Sequence, residues 1–161
     1  ISDFGLAANL NIPPKQAGEY IRLYFERYSD VRKYMDENVA FARKHGYVTT
    51  LLGRKRMIPE IRSSNYNVRS FGERAAMNMP LQGSSADIIN LAMLRIAERL
   101  EERGLRARLI LQVHDELVID APTEEREEVA HILQTEMENA VQLSVPLVAE
   151  VHCGKNWYEA K

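Results

Sequence analysis

Arg108-Leu-Ile-Leu-Gln-Val-His-Asp-Glu-Leu-Val-Ile-Asp120 is the stretch whose reading decides the fold. Two apolar runs flank His114-Asp115, the pattern of two antiparallel strands facing each other across a two-residue turn. With Val113 paired to Glu116, alternation puts Leu109, Leu111, Val113, Glu116, Val118 and Asp120 on one face. Ile110, Gln112, Leu117 and Ile119 take the other. Both faces are largely apolar, so the hairpin is expected inside a domain. The tip sits badly with that setting, because it carries an imidazole and two carboxylates in a row. Such groups cost free energy unless they are paired, hydrated or bound to a metal. Alternation breaks at a turn, so Asp115 and Glu116 can approach one site, with Asp115 the more exposed. Mg2+ is commonly held by one or two carboxylates, with waters and substrate phosphates completing the shell. The pair is therefore half of a metal site, and a chemically idle Asp-rich turn is the plain alternative.

Working outward from the hairpin, Pro122-Thr123 opens a helix with Glu124 and Glu125 in its first turn, where the helix dipole favours anions. Val129, Ile132, Leu133, Met137, Ala140 and Val141 give it one apolar face. Pro146-Leu-Val-Ala-Glu-Val151 reads as a last strand, and Trp157 sits in a short tail. On the other side, Ile88, Ile89, Leu91, Ala92, Ile96 and Leu100 make a buried helix, capped by Ser84 or Ser85 and ended by Gly104. Before it lie a loop at Ser63–Asn67 and a helix from about Val68 to Met79. Arg74 and Asn78 stand four apart on that helix, and Gln82 follows four later, past Pro80. If the helical path continues through the proline, all three project from one face; a solvent-facing polar stripe is the alternative.

Further out, Tyr47–Leu51 and Arg54–Ile58 form a small hairpin turning near Gly53 and stopped by Pro59. Its return strand is basic at Arg54, Lys55 and Arg56, which suits either a charged edge that deters strand pairing or a phosphate contact. Asp30 caps a helix running to Lys44-His45 and ended by Gly46. Pro13-Pro14 opens another, with Ala17, Tyr20, Ile21, Tyr24, Phe25 and Tyr28 as an expected buried stripe. Asp3–Leu10 is a short apolar helix closing at Asn9 to Asn11. Helices and antiparallel strands are segregated rather than alternating, so the class is α+β.

The 161 residues suffice for one sizeable core or two small lobes. No apolar run approaches the roughly 20 residues of a membrane span, and Ile1 opens directly into mixed sequence with no signal-peptide pattern. A single cysteine, Cys153, excludes an intrachain disulfide and a cysteine zinc cluster, and suits a reducing cytoplasm. The net charge of -2 hides an asymmetry: residues 1–82 hold 13 Lys+Arg against 8 Asp+Glu, residues 83–161 hold 8 against 15. A basic first half invites a polyanion, and an acidic second half invites cations. The His-Asp pair also occurs in helix-borne metal phosphohydrolases, but those require further ligands, and His45, His131 and His152 sit in unrelated contexts.

Gln112-Val-His-Asp-Glu-Leu117 resembles motif C of the family A DNA polymerases, the DNA polymerase I group. Gly46-Tyr-Val-Thr-Thr-Leu51, Gly53-Arg-Lys-Arg56, Glu73-Arg-Ala-Ala-Met-Asn-Met-Pro-Leu-Gln-Gly-Ser-Ser-Ala-Asp87 and the Val145-Pro-Leu to Trp157 ending resemble that family in order and spacing, over essentially the whole chain. The resemblance implies the C-terminal part of a fingers subdomain, helical with a small β-hairpin, over residues 1–66. It implies a palm portion with antiparallel strands and packed helices over 67–161. Asp115 matches the motif C aspartate that binds both catalytic metal ions, and Glu116 its acidic neighbour. His114 falls near the primer terminus. Arg74, Asn78 and Gln82 match the helix that meets the template–primer minor groove, whose acceptors are similar for all base pairs.

The implied reaction is attack of a primer 3′-hydroxyl on the α-phosphate of a dNTP with release of pyrophosphate, in DNA replication and repair, aided by two Mg2+ ions. The family's motif A aspartate and most of its nucleotide-binding helix have no counterpart in these residues, and a Tyr-Gly pair is expected immediately before Ile1. The chain is thus expected to be a slice of a polymerase, inactive alone, with an incomplete metal site. It is also expected to self-associate through apolar surface exposed by truncation. The competing expectation is a non-catalytic primer–template DNA-binding module or structural remnant.

Overall fold

The computed structural model describes residues 2–160. It is α+β, with five α-helices and two separate two-stranded antiparallel sheets. The chain divides into two compact units, residues 1–49 with 53–80 and residues 50–52 with 81–161.

The first unit opens with helix α1, Asp3–Leu10, capped by the Ser2 hydroxyl and closed by Asn11 in a left-handed conformation. Helix α2 spans Pro14–Arg27 and helix α3 spans Ser29–His45. Asp30 lies inside the first turn of α3 rather than at its cap, and the Tyr28 cap position offers no side-chain hydrogen bond. Gly46 closes α3 with φ 82°, its N–H donating to the Ala42 carbonyl at 2.7 Å. Strands β1, Tyr47–Thr49, and β2, Lys55–Met57, form the small hairpin, with Val48 opposite Arg56. A 3-10 turn at Pro59–Arg62 follows.

Ala42, Val48, Ile58, Ile61 and Ala76 are the buried core of this unit, with Val39, Ala75 and Met79 against it. The aromatic stripe of α2 does not join that core. Tyr20, Tyr24 and Tyr28 are exposed, and Ala17 is the buried residue of the helix. A 3.6-residue period identifies an apolar face but not a partner to cover it.

Helix α4, Tyr66–Glu102, is one helix of 37 residues rather than two. The Asn65 side chain caps it, accepting from the N–H groups of Asn67 and Val68 at 2.9 and 3.4 Å. Pro80 is accommodated inside it. Ser84 is consequently no cap: it sits within the helix, where its hydroxyl accepts from Leu51 N–H at 2.8 Å. Gly104 follows the helix with φ 64°, and Leu105 N–H returns to the Leu100 carbonyl at 3.0 Å, a left-handed stop.

In the second unit, strands β3, Arg108–Val113, and β4, Glu116–Asp120, form the decisive hairpin. Helix α5, Arg126–Glu138, follows a 3-10 turn at Thr123–Glu125. Ile89, Ala92, Ile96 and Leu100 of α4 pack with Ala107, Leu117, Val129, Ile132 and Ala140, and Leu109 and Ile119 lie against this cluster. Residues 146–151 are not a strand. No β-ladder partner meets them among the described residues, and α5 serves part of their backbone instead. Ala149 N–H donates to Glu138 at 3.1 Å, and its carbonyl accepts from Gln134 at 3.2 Å.

Candidate metal and nucleic-acid site

The tip pairs as the sequence predicts, with Val113 opposite Glu116, Gln112 opposite Leu117 and Leu111 opposite Val118. A bulge then intervenes, and Leu109 faces Ile119 while Arg108 faces Asp120. Ile110 is the extra residue. One inserted residue reverses the alternation beyond it. Leu109 therefore joins Leu117 and Ile119 on the packed face, not Leu111 and Val113 as strict alternation gives. The hairpin is also covered on one face, not two: Ile110 and Leu111 are 54% and 47% exposed.

At the turn, His114 adopts φ 55°, one of two non-glycine residues with positive φ among those described. Non-glycine residues visit this left-handed region at some cost. Gln112 helps hold it, since its Nε2 donates to the His114 carbonyl at 2.6 Å. His114, Asp115 and Glu116 are all exposed. The carboxylates escape the penalty of burial by standing in solvent at the end of a hairpin anchored elsewhere by Leu117.

That anchorage has an electrostatic component at the far end of the hairpin. Glu125 accepts from the backbone N–H groups of Arg106 and Ala107, each near 3.0 Å, where β3 begins. Arg106 also pairs with Glu124 and Glu125. Burial pushes the Glu125 carboxyl up, but the two backbone donors and the Arg106 guanidinium outweigh it and hold it below the usual carboxylate range. Glu125 thus caps a strand start, beyond the helix-dipole role its position implies.

The tail supplies a side chain that sequence reasoning left unassigned. Trp157 Nε1 donates to Glu116 Oε2 at 3.4 Å. The turn carrying it is fastened by Asn156, which donates to Glu159 Oε1 at 2.8 Å and accepts from Glu159 N–H at 3.0 Å. A Cβ on Gly154 would lie 2.7 Å from Ala160 N and from Glu159 C, so this return of the chain requires glycine. The signal available in the sequence was the pair of glycine and a lone indole in an otherwise polar ending.

Among the remaining candidates, Arg74, Asn78 and Gln82 lie within α4 and are exposed, with Arg74 Nη1 donating to Ser70 Oγ at 2.9 Å. Their four-residue spacing holds because the helix runs through Pro80. Arg54 precedes β2, while Lys55 and Arg56 lie in it; all three are exposed, and Lys55 Nζ sits 4.9 Å from the centre of the Tyr47 ring. No group of three or more His, Cys, Asp or Glu suited to a metal is present among the described residues. Likewise, no helix is long and apolar enough to cross a membrane.

Beyond the hairpin, the chain has known relatives over its whole length. It belongs to DNA polymerase family A, whose model matches residues 1–159. It is 55% identical over all 161 residues to the DNA polymerase I of Caldicellulosiruptor bescii and to that of Geobacillus stearothermophilus. The DNA polymerase I of Bacillus subtilis is 51% identical over the same length. The chain spans 18–19% of these relatives. Among solved structures, the POL domain of Pol1 from M. smegmatis, in complex with DNA primer-template and dNTP, superposes with a TM-score of 0.95 at 44% identity. That match covers 99% of this chain and 28% of the other.

Proposed function

We propose that this chain is the part of a DNA-directed DNA polymerase that carries the later fingers and much of the palm, and that its hairpin tip supplies metal-binding carboxylates for nucleotidyl transfer. The observation that carries the reading is the whole-chain likeness to a polymerase domain bound to primer-template and dNTP, together with an Asp-Glu pair at an exposed turn. The donor set fits a hard divalent cation: adjacent anionic oxygens, solvent-accessible, on a rigid two-stranded support. Mg2+ held there would activate the primer 3′-hydroxyl and stabilise the leaving pyrophosphate. Asp115 and Glu116 would hold it, with a further carboxylate from polymerase segments outside these residues.

The other assignments follow from chemistry and position. His114, at the turn, would lie beside the primer terminus. Arg74, Asn78 and Gln82 would donate to minor-groove acceptors, checking base-pair shape without reading sequence. Arg54, Lys55 and Arg56 would meet backbone phosphates. The protein's own contribution is then orientation and charge stabilisation rather than covalent chemistry. Replacing Asp115 with Asn in the polymerase that contains this chain should lower primer extension roughly a hundredfold or more. Single-turnover extension at saturating primer-template and dNTP measures this, and a change under threefold rules out the metal assignment.

That the chain spans only 18–19% of its polymerase relatives favours a second reading for the chain on its own. Alone it would bind primer-template DNA without turnover. The exposed Ile110 and Leu111 face would also promote self-association. Sedimentation across a concentration series tests that, and a constant monomer mass excludes it.

A further inference from the structure

Through the Trp157–Glu116 contact the tail reaches the candidate metal site, and the tail is built to make it. Gly154 permits the chain to turn back, Asn156 and Glu159 lock the turn through reciprocal hydrogen bonds, and the indole N–H is delivered to Glu116 Oε2. Indole N–H is a donor with no acceptor capacity, so it can hold a carboxylate oxygen but cannot compete for a cation. Glu116 is exposed and has several rotatable bonds, so without a fixed partner its carboxylate would sample many orientations.

We propose that Trp157 is a positioning residue: by holding Oε2 it restricts the Glu116 carboxylate and leaves Oε1 as the oxygen offered to a divalent cation beside Asp115. This rests on the metal-binding reading of the hairpin tip. Residues that hydrogen-bond a metal ligand without touching the metal orient that ligand, and their loss weakens metal affinity more than it changes the chemistry of the loaded site. Trp157 would accordingly set the cation concentration at which the site fills.

Trp157 is the single tryptophan of the chain, so it reports on its own contact. In the 161-residue chain without cation, Glu116→Gln should shift Trp157 emission, because the anionic acceptor is gone. Paramagnetic Mn2+ should quench the wild-type emission saturably, with a midpoint moved to higher Mn2+ by Glu116→Gln. In the polymerase containing this chain, Trp157→Phe should raise the half-saturating Mg2+ roughly tenfold, with little change in kcat at saturating Mg2+. The same change should add nothing in a Glu116→Gln background. Asn156→Ala keeps the indole but loosens its turn, and should give a smaller shift in the same direction even if Trp157→Phe folds poorly.

Unchanged emission in Glu116→Gln overturns the proposal, as does an equal Trp157→Phe effect in both Glu116 backgrounds. Failure of the underlying reading looks different: Asp115→Asn would then leave Mg2+ dependence and Mn2+ quenching intact, while the cation-free emission arm still judges the contact itself.

Discussion

Glu125 shows how much a single side chain can hold in this fold. It accepts two backbone N–H groups at the start of β3 and pairs with Arg106, and its carboxyl lies below its ordinary range as a result. A group whose pKa is depressed on folding contributes stability above its unfolded value of about 4.3, and that contribution disappears as pH falls through the lower folded value. Thermal unfolding followed between pH 7 and pH 3 should therefore show Glu125→Gln melting below wild type at neutral pH. The difference should narrow as the pH drops through the carboxylate range, and a gap that stays constant with pH would remove the electrostatic explanation. The sequence placed Glu125 in the first turn of the helix, whereas it ends the 3-10 turn leading into α5, and local pattern does not show which distant backbone a carboxylate will reach. The placement of Asp115 and Glu116 at an exposed turn was legible for the opposite reason, since it comes from an immediate neighbourhood of turn and strands. The Trp157 contact with Glu116 was illegible because it depends on a return of the chain over 41 positions.

At the scale of elements, α4 is the departure with the widest effect. Two helices broken at Pro80 were expected, because proline removes one backbone donor and crowds the preceding turn at a cost of about 3 kcal/mol in a helix interior. Tertiary packing outweighs that cost on both sides of the proline: Ala76 is fully buried before it, and Ile89, Ala92 and Ile96 are buried after it. Propensity is local and weak, whereas burial of a long apolar face is summed over many residues. Gly72 marks a close approach of the helix to the preceding 3-10 turn, since a Cβ there would stand 2.7 Å from Ile61 N and 2.9 Å from Glu60 C. Alanine normally gains about 1 kcal/mol over glycine in a helix. Here overpacking against backbone atoms costs about 1–3 kcal/mol and decides the sign. Gly72→Ala should lower stability in denaturant titration, and a stabilised variant would mean that the turn yields freely. The small hairpin, the glycine stops at Gly46 and Gly104, and the pairing at the tip were all readable, because turn chemistry is written in the residues that make it. The exposed face of α2 and the ladderless segment 146–151 were not, because periodicity and β-propensity state what a segment is suited to meet rather than what it meets.

For the molecule as a whole, a net charge of -2 conceals a basic first half, and the proposed DNA contacts outside the hairpin tip all lie in it but are of two kinds. Arg54, Lys55 and Arg56 would act through phosphates, whereas Arg74, Asn78 and Gln82 would act through bases. Those two kinds of contact respond differently to salt. Neutralising three phosphates should add roughly 2–3 to the magnitude of the slope of log affinity against log salt, at about 0.9 per contact. Binding of the chain to primer-template, measured by anisotropy over a salt series, should lose that increment in an Arg54→Ala, Lys55→Ala, Arg56→Ala variant. Gln82→Ala should weaken binding while leaving the slope alone. An unchanged slope in the triple variant would return the basic hairpin to the status of a solvated edge.

The bulge at Ile110 makes one residue of the central hairpin dispensable to its pairing. Removing Ile110 leaves Leu109 opposite Ile119 and Leu111 opposite Val118, so the inward residues remain inward. Losing any residue between Leu111 and the turn would instead disturb the tip itself. A bulge also adds local twist and re-aims what lies beyond it. The deletion of Ile110 should consequently fold with near-native melting behaviour, yet in the polymerase that contains this chain it should lower the proposed primer extension, because the carboxylates would point along a different line. Chain length at this one position would then be a setting for the direction of the site, adjustable without rewriting the core beneath it.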